Sequence, residues 1–436
     1  MHHPSPSGGP TGVTRTTPRR VVITGLGAIT PLGVGAPALW QGLLEGRSGV
    51  RTLEDEEFAG LPVRIAATVP EDPAGLLPPA VARRMNRAAR FAVVAAREAW
   101  RDAGLAPSGT AESGLDPDRV GVCLGTIIGG APALVDGDRR LRDKGPRGVP
   151  PLTAAMTVPS QAASQVSLDL RITGEARTVV SACASGTEAI GQAIDRIRHG
   201  HLDVVVAGGT EAAVTPAVMG AFAAMRALSA RNDEPARASR PFAKDRDGFV
   251  HGEGAGTVVL ESEEHARARG ARIYCEAAGW GLSADAHHIV APDPTGSGIV
   301  RALRRALADA GAAPADVAHV SAHATATVEG DLAEATALRR VFGEDRDVPV
   351  TAVKGNIGHL QGAAGAVAAV AAALTLHHGL VPPTIGCDDL DDACPLDVVT
   401  HVPRPLPDSG DVVLGNSFGF GGHNAVLALR RERKTS

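Results

Sequence analysis

The chain has 436 residues, 44% of them hydrophobic but only 3% aromatic, and a net charge of −5. That length can bury a large core of small side chains, and it suggests two domains or one duplicated unit. Nothing in the charge or hydropathy points to nucleic acid or a membrane, and five cysteines without a CxxC pair fit neither disulfides nor zinc, so a cytoplasmic protein is expected.

Residues 1–18 are rich in His, Pro, Gly, Ser and Thr, which predicts a disordered tail. From Arg20 the run Val21-Val22-Ile23 reads as a buried strand followed by a glycine turn at Gly25-Leu26-Gly27. Pro37–Glu45 predicts a short helix, and Asn86–Ala103 a stronger one with Phe91, Val94, Ala95 and Ala99 near one face. Val120–Thr126 is a strand. Arg177–Ser181 is another, after which Cys183 is expected to open a helix to about Ile197. Strands follow at His201–Gly208, Gly256–Glu261 and Arg272–Gly281, the last two as antiparallel neighbours. The second half predicts helices over Gly298–Ala310, Asp331–Phe342 and Gly362–His377, and strands over Val317–Ala322, Val350–Val353, Asp411–Asn416 and Asn424–Leu429. Alternating strands and helices imply α/β layers with mixed sheets. Both halves run strand, reactive residue, helix, which suggests an internal duplication.

Three separate stretches frame a reactive side chain with small residues. In Val180-Ser181-Ala182-Cys183-Ala184-Ser185-Gly186 the neighbours permit a sharp strand-to-helix turn, the logic of a nucleophile elbow. A helix N-terminus there is expected to lower the thiol pKa. The alternative is a buried structural cysteine, which is the expectation for Cys123, Cys275, Cys387 and Cys394. His323 lies in Ser321-Ala322-His323-Ala324-Thr325-Ala326-Thr327, where alternation would point both threonine hydroxyls to one side. His359 ends Lys354-Gly355-Asn356-Ile357-Gly358-His359. Each histidine could equally be a satisfied core residue. Adjacent His287 and His288 diverge in direction and are not expected to bind metal. Ser417–Asn424 is a glycine-rich turn whose N–H groups could face an oxyanion, or a simple hairpin. No phosphate loop is present.

Together these motifs resemble the β-ketoacyl-acyl carrier protein synthase family, most closely its synthase II type, from about Arg20 to Arg430. Ala207–Glu211, Met225–Ser229, Ala238–Phe242, Asp245–Gly256 and Pro382–Thr384 match as well. The resemblance implies an α/β thiolase-like fold of duplicated halves in five layers, α-β-α-β-α. The halves would span 19–270 and 271–436. It also implies a decarboxylating condensation in fatty acid or polyketide synthesis. Cys183 would be acylated, His323 and His359 would stabilise the enolate from malonyl-carrier protein, and Lys354 with Glu334 would organise the histidines. Backbone N–H groups of Cys183 and Phe420 would form the oxyanion hole, Phe420 gating an acyl pocket lined by Ile128 and Phe222. Thr325 and Thr327 would grip the phosphopantetheine arm of the acyl carrier protein. No metal or other cofactor is implied.

Carrier proteins of this family are acidic, so Arg83-Arg84-Met85-Asn86-Arg87, the run Arg139, Arg140, Arg142, Lys144, Arg147, and Arg226 are docking candidates. Ordinary solvated charge is the alternative. Ala324, Ala326 and Val328 stand where the family often has Gly, Ser and Pro, and Gly355-Asn356-Ile357 is closer to modular polyketide synthases. Fatty acid and polyketide pathways therefore both stay open. So do a homodimer and a heterodimer with a chain-length-factor homologue. A thiolase would need a second cysteine where His423 stands. A synthase III type would pair one histidine with asparagine, and a chain-length factor would lack Cys183.

Overall fold

The computed structural model describes residues 18–343 and 348–432. The tail expected over 1–18 lies, except for Pro18, outside the described residues. The first half contains β1 (Val21–Thr30), α1 (Arg87–Asp102), β2 (Val120–Gly125), α2 (Ala131–Lys144), α3 (Gln161–Leu170), β3 (Glu175–Val179), α4 (Ser185–Arg198), β4 (Val204–Glu211), α5 (Pro216–Ala224) and β5 (Gly254–Ser262). The second contains β6 (Cys275–Ala284), α6 (Ser297–Asp309), β7 (Val317–Ser321), α7 (Val328–Phe342), β8 (Val350–Thr351), α8 (Ala364–His378), β9 (Val412–Gly419) and β10 (His423–Arg431).

Five strands of each half follow the same path. The spatial order is β1-β5-β4-β2-β3 in one half and β6-β10-β9-β7-β8 in the other. In chain order both read first, fifth, fourth, second, third. The pairings also repeat: two antiparallel contacts, then two parallel ones. This repeat is the internal duplication expected from the sequence. The halves join edge to edge where Val22 pairs with Glu276 and Ile23 with Cys275. β5 and β6 are therefore not neighbours as expected, because β1 lies between them and pairs with both.

Helices complete five layers. α4 and α8 touch each other and lie between the halves' sheets, while α1 covers β1 and β5 and α6 covers β6 and β10. Every residue of α8 from Ala364 to Leu376 is buried, as expected of a helix that is small and apolar on all sides over that stretch. Asn86 caps α1, its side chain accepting from Ala89 N–H at 2.8 Å.

The expected turn at Gly25-Leu26-Gly27 is absent, and β1 runs on to Thr30. A Cβ at Gly25 would stand 2.1 Å from the Ala99 carbonyl, and one at Gly27 would stand 2.0 Å from that of Ala95. These glycines let α1 press onto the strand. Helices α2, α3 and α5 were not expected. In α2 only Gly137 is buried while Leu134 and Val135 are each 55% exposed, so no inward apolar stripe marks it.

Candidate active site

Cys183 lies in a turn two residues before the start of α4, rather than at its first residue. Ala182 takes a left-handed backbone, φ 51°, which is the strain of a tight elbow. Ser185 staples the turn: its hydroxyl accepts from Ser181 N–H at 2.9 Å and donates to the Ala182 carbonyl at 2.6 Å. The β9–β10 hairpin closes against this elbow at Gly419, where a Cβ would fall 2.9 Å from the Cys183 nitrogen. Gly421 and Gly422, with φ of 81° and 75°, then turn the chain so that the backbone N–H groups of Phe420 and Cys183 both face the sulfur.

The thiol pKa runs opposite to expectation. Burial pushes it up to about 12, outweighing Lys354 and the two N–H groups that favour the thiolate. The other four cysteines are likewise buried and free.

His323 and His359 come from the second half and meet edge to face, with centroids 5.5 Å apart. Burial, reinforced by Lys354, holds both far below the ordinary imidazole value, so both are neutral. His359 Nδ1 accepts from the Gln361 N–H at 3.3 Å, which places its proton on Nε2. Lys354 Nζ lies 3.4 Å from His323 Nδ1 and donates to the His323 carbonyl. An ammonium only donates, so His323 too carries its proton on Nε2. Burial lowers Lys354 to about 8, which leaves it mostly charged at neutral pH. Glu334 fixes the segment, accepting from the N–H groups of His323 (2.9 Å) and Ala324 (2.7 Å) and from the Asn416 amide (2.9 Å).

One cavity of about 430 Å3 is lined by Cys183, His323, His359, Thr325, Thr327 and Phe420, with Phe222 and Arg226 among its other walls. The hydroxyls of Thr325 and Thr327 lie 3.0 Å apart, on one side as the alternation predicts. The backbone is nevertheless no plain strand, since Ala324 and Ala326 have φ of 24° and 68°. Ala326 N–H is held by Asp331, which also pairs with buried Arg246.

Several expectations need correction. Ile128 does not line this cavity; it lies three residues ahead of α2, with its N–H on Glu211. Arg87 is bound to buried Glu253 at 2.6 Å. Arg139 and Arg140 pair with Asp136, and Arg142 with Asp138, so that basic run is largely neutralised within its own helix. Arg83, Arg84 and Arg147 are exposed, as is Arg226. Gln361, His251 and Glu211 were missed. Glu211 accepts from N–H groups of Ile127, Gly129 and Gly362, tying the loop after β2 to the entrance of α8. Among the described residues no cluster of three or more His, Cys, Asp or Glu could hold a metal ion. No described helix is long and apolar enough to cross a membrane.

Residues 18–266 match the N-terminal domain of β-ketoacyl synthases, and residues 274–388 match their C-terminal domain. The chain belongs to the β-ketoacyl synthase family. It is 42% identical to 3-oxoacyl-acyl-carrier-protein synthase 2 of Coxiella burnetii over 95% of this chain and 99% of that one. The synthase 2 of Rhizobium meliloti is 43% identical, with 95% and 99% covered. Among solved structures, a β-ketoacyl synthase from Burkholderia phymatum superposes with a TM-score of 0.87 at 37% identity, covering 95% of this chain and all of that one. The ishigamide ketosynthase/chain length factor gives the same TM-score and coverage at 36% identity. At 32%, again with 0.87 and the same coverage, stands a ketosynthase bound to a hexaketide in complex with a type II polyketide synthase acyl carrier protein. The fold is thus the thiolase-like fold of ketosynthases.

Proposed function

We propose that the protein is an acyltransferase that condenses malonyl-acyl carrier protein, with loss of CO2, onto an acyl chain held by Cys183. The observation that carries this reading is a single cavity in which a first-half thiol meets two second-half imidazoles, both neutral and both donors through Nε2.

In the first step the Cys183 sulfur attacks the thioester carbonyl of an acyl-carrier protein. The oxyanion forms where the N–H groups of Cys183 and Phe420 converge, and the thiol proton leaves with the departing carrier thiol. In the second step the C–CO2 bond of malonyl-carrier protein breaks and CO2 departs. The electron pair remains as an enolate whose oxygen accepts from His323 and His359, each such donor contributing roughly a few kcal/mol. The enolate carbon attacks the Cys183 thioester through the same oxyanion hole. The sulfur then leaves and takes up a proton from solvent, freeing β-ketoacyl-acyl carrier protein. Lys354 and Glu334 hold the His323 segment; Thr325 and Thr327 receive the phosphopantetheine arm; Phe222 and Phe420 wall the acyl channel. Arg226 stands at the mouth for an acidic carrier, with Arg83, Arg84 and Arg147 as outer contacts. A boundary near residue 270 separates the thiol-bearing from the imidazole-bearing half, and a cytoplasmic location belongs to the same reading.

Self-association is part of the proposal. β3 is an edge strand with Ala176 and Arg177 exposed; Val180, which follows it, is 57% exposed, and Leu134, Val135 and Val158 are 46–55% exposed. The partner of this face is a second copy or, as in the structural relative named as ketosynthase/chain length factor, a homologous chain.

The protein purified alone and given acyl- and malonyl-carrier proteins is expected to release CO2 and form a β-ketoacyl product, with acyl mass on Cys183. Turnover that appears only after adding a homologous chain would reassign it to the catalytic half of a heterodimer. Acylation elsewhere would refute the assignment.

A further inference from the structure

Beside Cys183 lies a polar pair that the condensation steps do not use. Gln361 opens the short turn ahead of α8 and has a left-handed backbone, φ 53°. That conformation is costly for a residue with a Cβ, and here it brings the side chain into the cavity wall. The Gln361 amide spans two partners: Nε2 lies 3.1 Å from His251 Nδ1, and Oε1 lies 3.9 Å from the Cys183 sulfur. His251 is completely buried, its ring 5.5 Å from that of Phe222 and 6.4 Å from that of Phe249. Burial lowers it to about 4, so it is neutral. Its Nε2 has no partner within hydrogen-bond distance, the Ala213 carbonyl acting on the ring from farther off.

A neutral ring that accepts the amide N–H at Nδ1 carries its own proton at Nε2. The amide is then oriented, and its oxygen points at the sulfur. A carbonyl oxygen can accept S–H but repels a thiolate. The other groups facing the sulfur divide. Lys354 and the N–H groups of Cys183 and Phe420 favour the anion, Glu211 opposes it, and His323 and His359 are uncharged.

We propose that Gln361, oriented by His251, is a positioning residue that accepts the S–H of resting Cys183 and keeps the thiol protonated until a thioester arrives. The role is one of restraint: an idle enzyme is protected from stray electrophiles. It rests on Cys183 being the nucleophile, but its test needs no substrate.

The test is the pH profile of Cys183 alkylation by iodoacetamide, followed by intact mass and peptide mapping. In Gln361→Leu the thiol loses its acceptor. The profile is expected to move to lower pH, with alkylation at pH 7 roughly fivefold faster, the scale of one hydrogen bond. Gln361→Glu places an anion at the sulfur and is expected to move the profile up and slow the reaction. His251→Phe frees the amide and shifts the profile in the same direction as Gln361→Leu, by less. A merely structural role would change amplitude or folding and leave the midpoint in place. An unmoved midpoint in Gln361→Leu, or a rise, overturns the proposal, a rise meaning that the amide donates to the sulfur. If that variant does not fold, near-isosteric Gln361→Glu decides, and an equal or faster rate overturns it. Alkylation of another cysteine in the parent protein would sink the nucleophile assignment instead.

Discussion

Of Cys183, His323, His359 and Lys354, the lysine is the one whose ionisation falls nearest neutrality. The thiol sits near 12 and both imidazoles far below 6.5, so neither titrates around neutrality. Lys354 is lowered from 10.5 to about 8. Its ammonium, which holds His323 Nδ1 as an acceptor, is present below that value and is lost as pH rises through it. Condensation by enzyme already acylated on Cys183 is therefore expected to fall as pH rises past 8. Stability moves the other way, because between about 8 and 10.5 the unfolded chain binds the proton and the folded chain does not. A flat rate between pH 7 and 9.5 would remove Lys354 from this role. At this scale the sequence was legible where small residues frame one reactive atom, as at Cys183, His323 and His359. Gln361, His251 and Glu211 were not, because each acts through a contact made by chain more than 80 residues away. The thiol's pKa was misjudged for a related reason: burial depth is a property of the assembled layers.

Strand β7 carries a cost inside the core. His319 is 1% exposed, and neither ring nitrogen has a partner at hydrogen-bonding distance. Its register partner is Val413 of β9. Burial lowers it to about 3. An unfolded imidazole binds its proton below about 6.5 while this one does not, so stability falls as pH drops from 6.5 toward 3. His319→Phe is expected to raise unfolding free energy by about 1–3 kcal/mol at pH 7. It should also weaken the loss between pH 7 and 5, measured by urea titration. Unchanged acid sensitivity would contradict this. Strand and helix positions were readable to within a few residues wherever apolar periodicity faces inward. They were misread where glycine serves packing, as at Gly25 and Gly27, and where a helix turns its apolar side outward, as in α2.

Across the whole molecule, the thiol and one of the two imidazoles come from equivalent places in the two halves, while His323 follows the second strand of its half. Cys183 follows the third strand of the first half, and Lys354 and His359 follow the third strand of the second. The repeat of strand and helix hinted at this, but pairing order is a long-range fact that no local pattern encodes. The exposed β3 edge makes a further expectation. Charges placed at Leu134 and Val158 together should shift the protein toward monomer in sedimentation, with the cavity intact and activity reduced. A variant that stays associated would move the interface elsewhere.

From Ala364 to Leu376 helix α8 offers no side to water. A half-length ancestor of this topology could have sheltered such a helix only against a twin of itself. In the present molecule one half carries the sulfur and the other the two rings, so neither half alone holds the whole site.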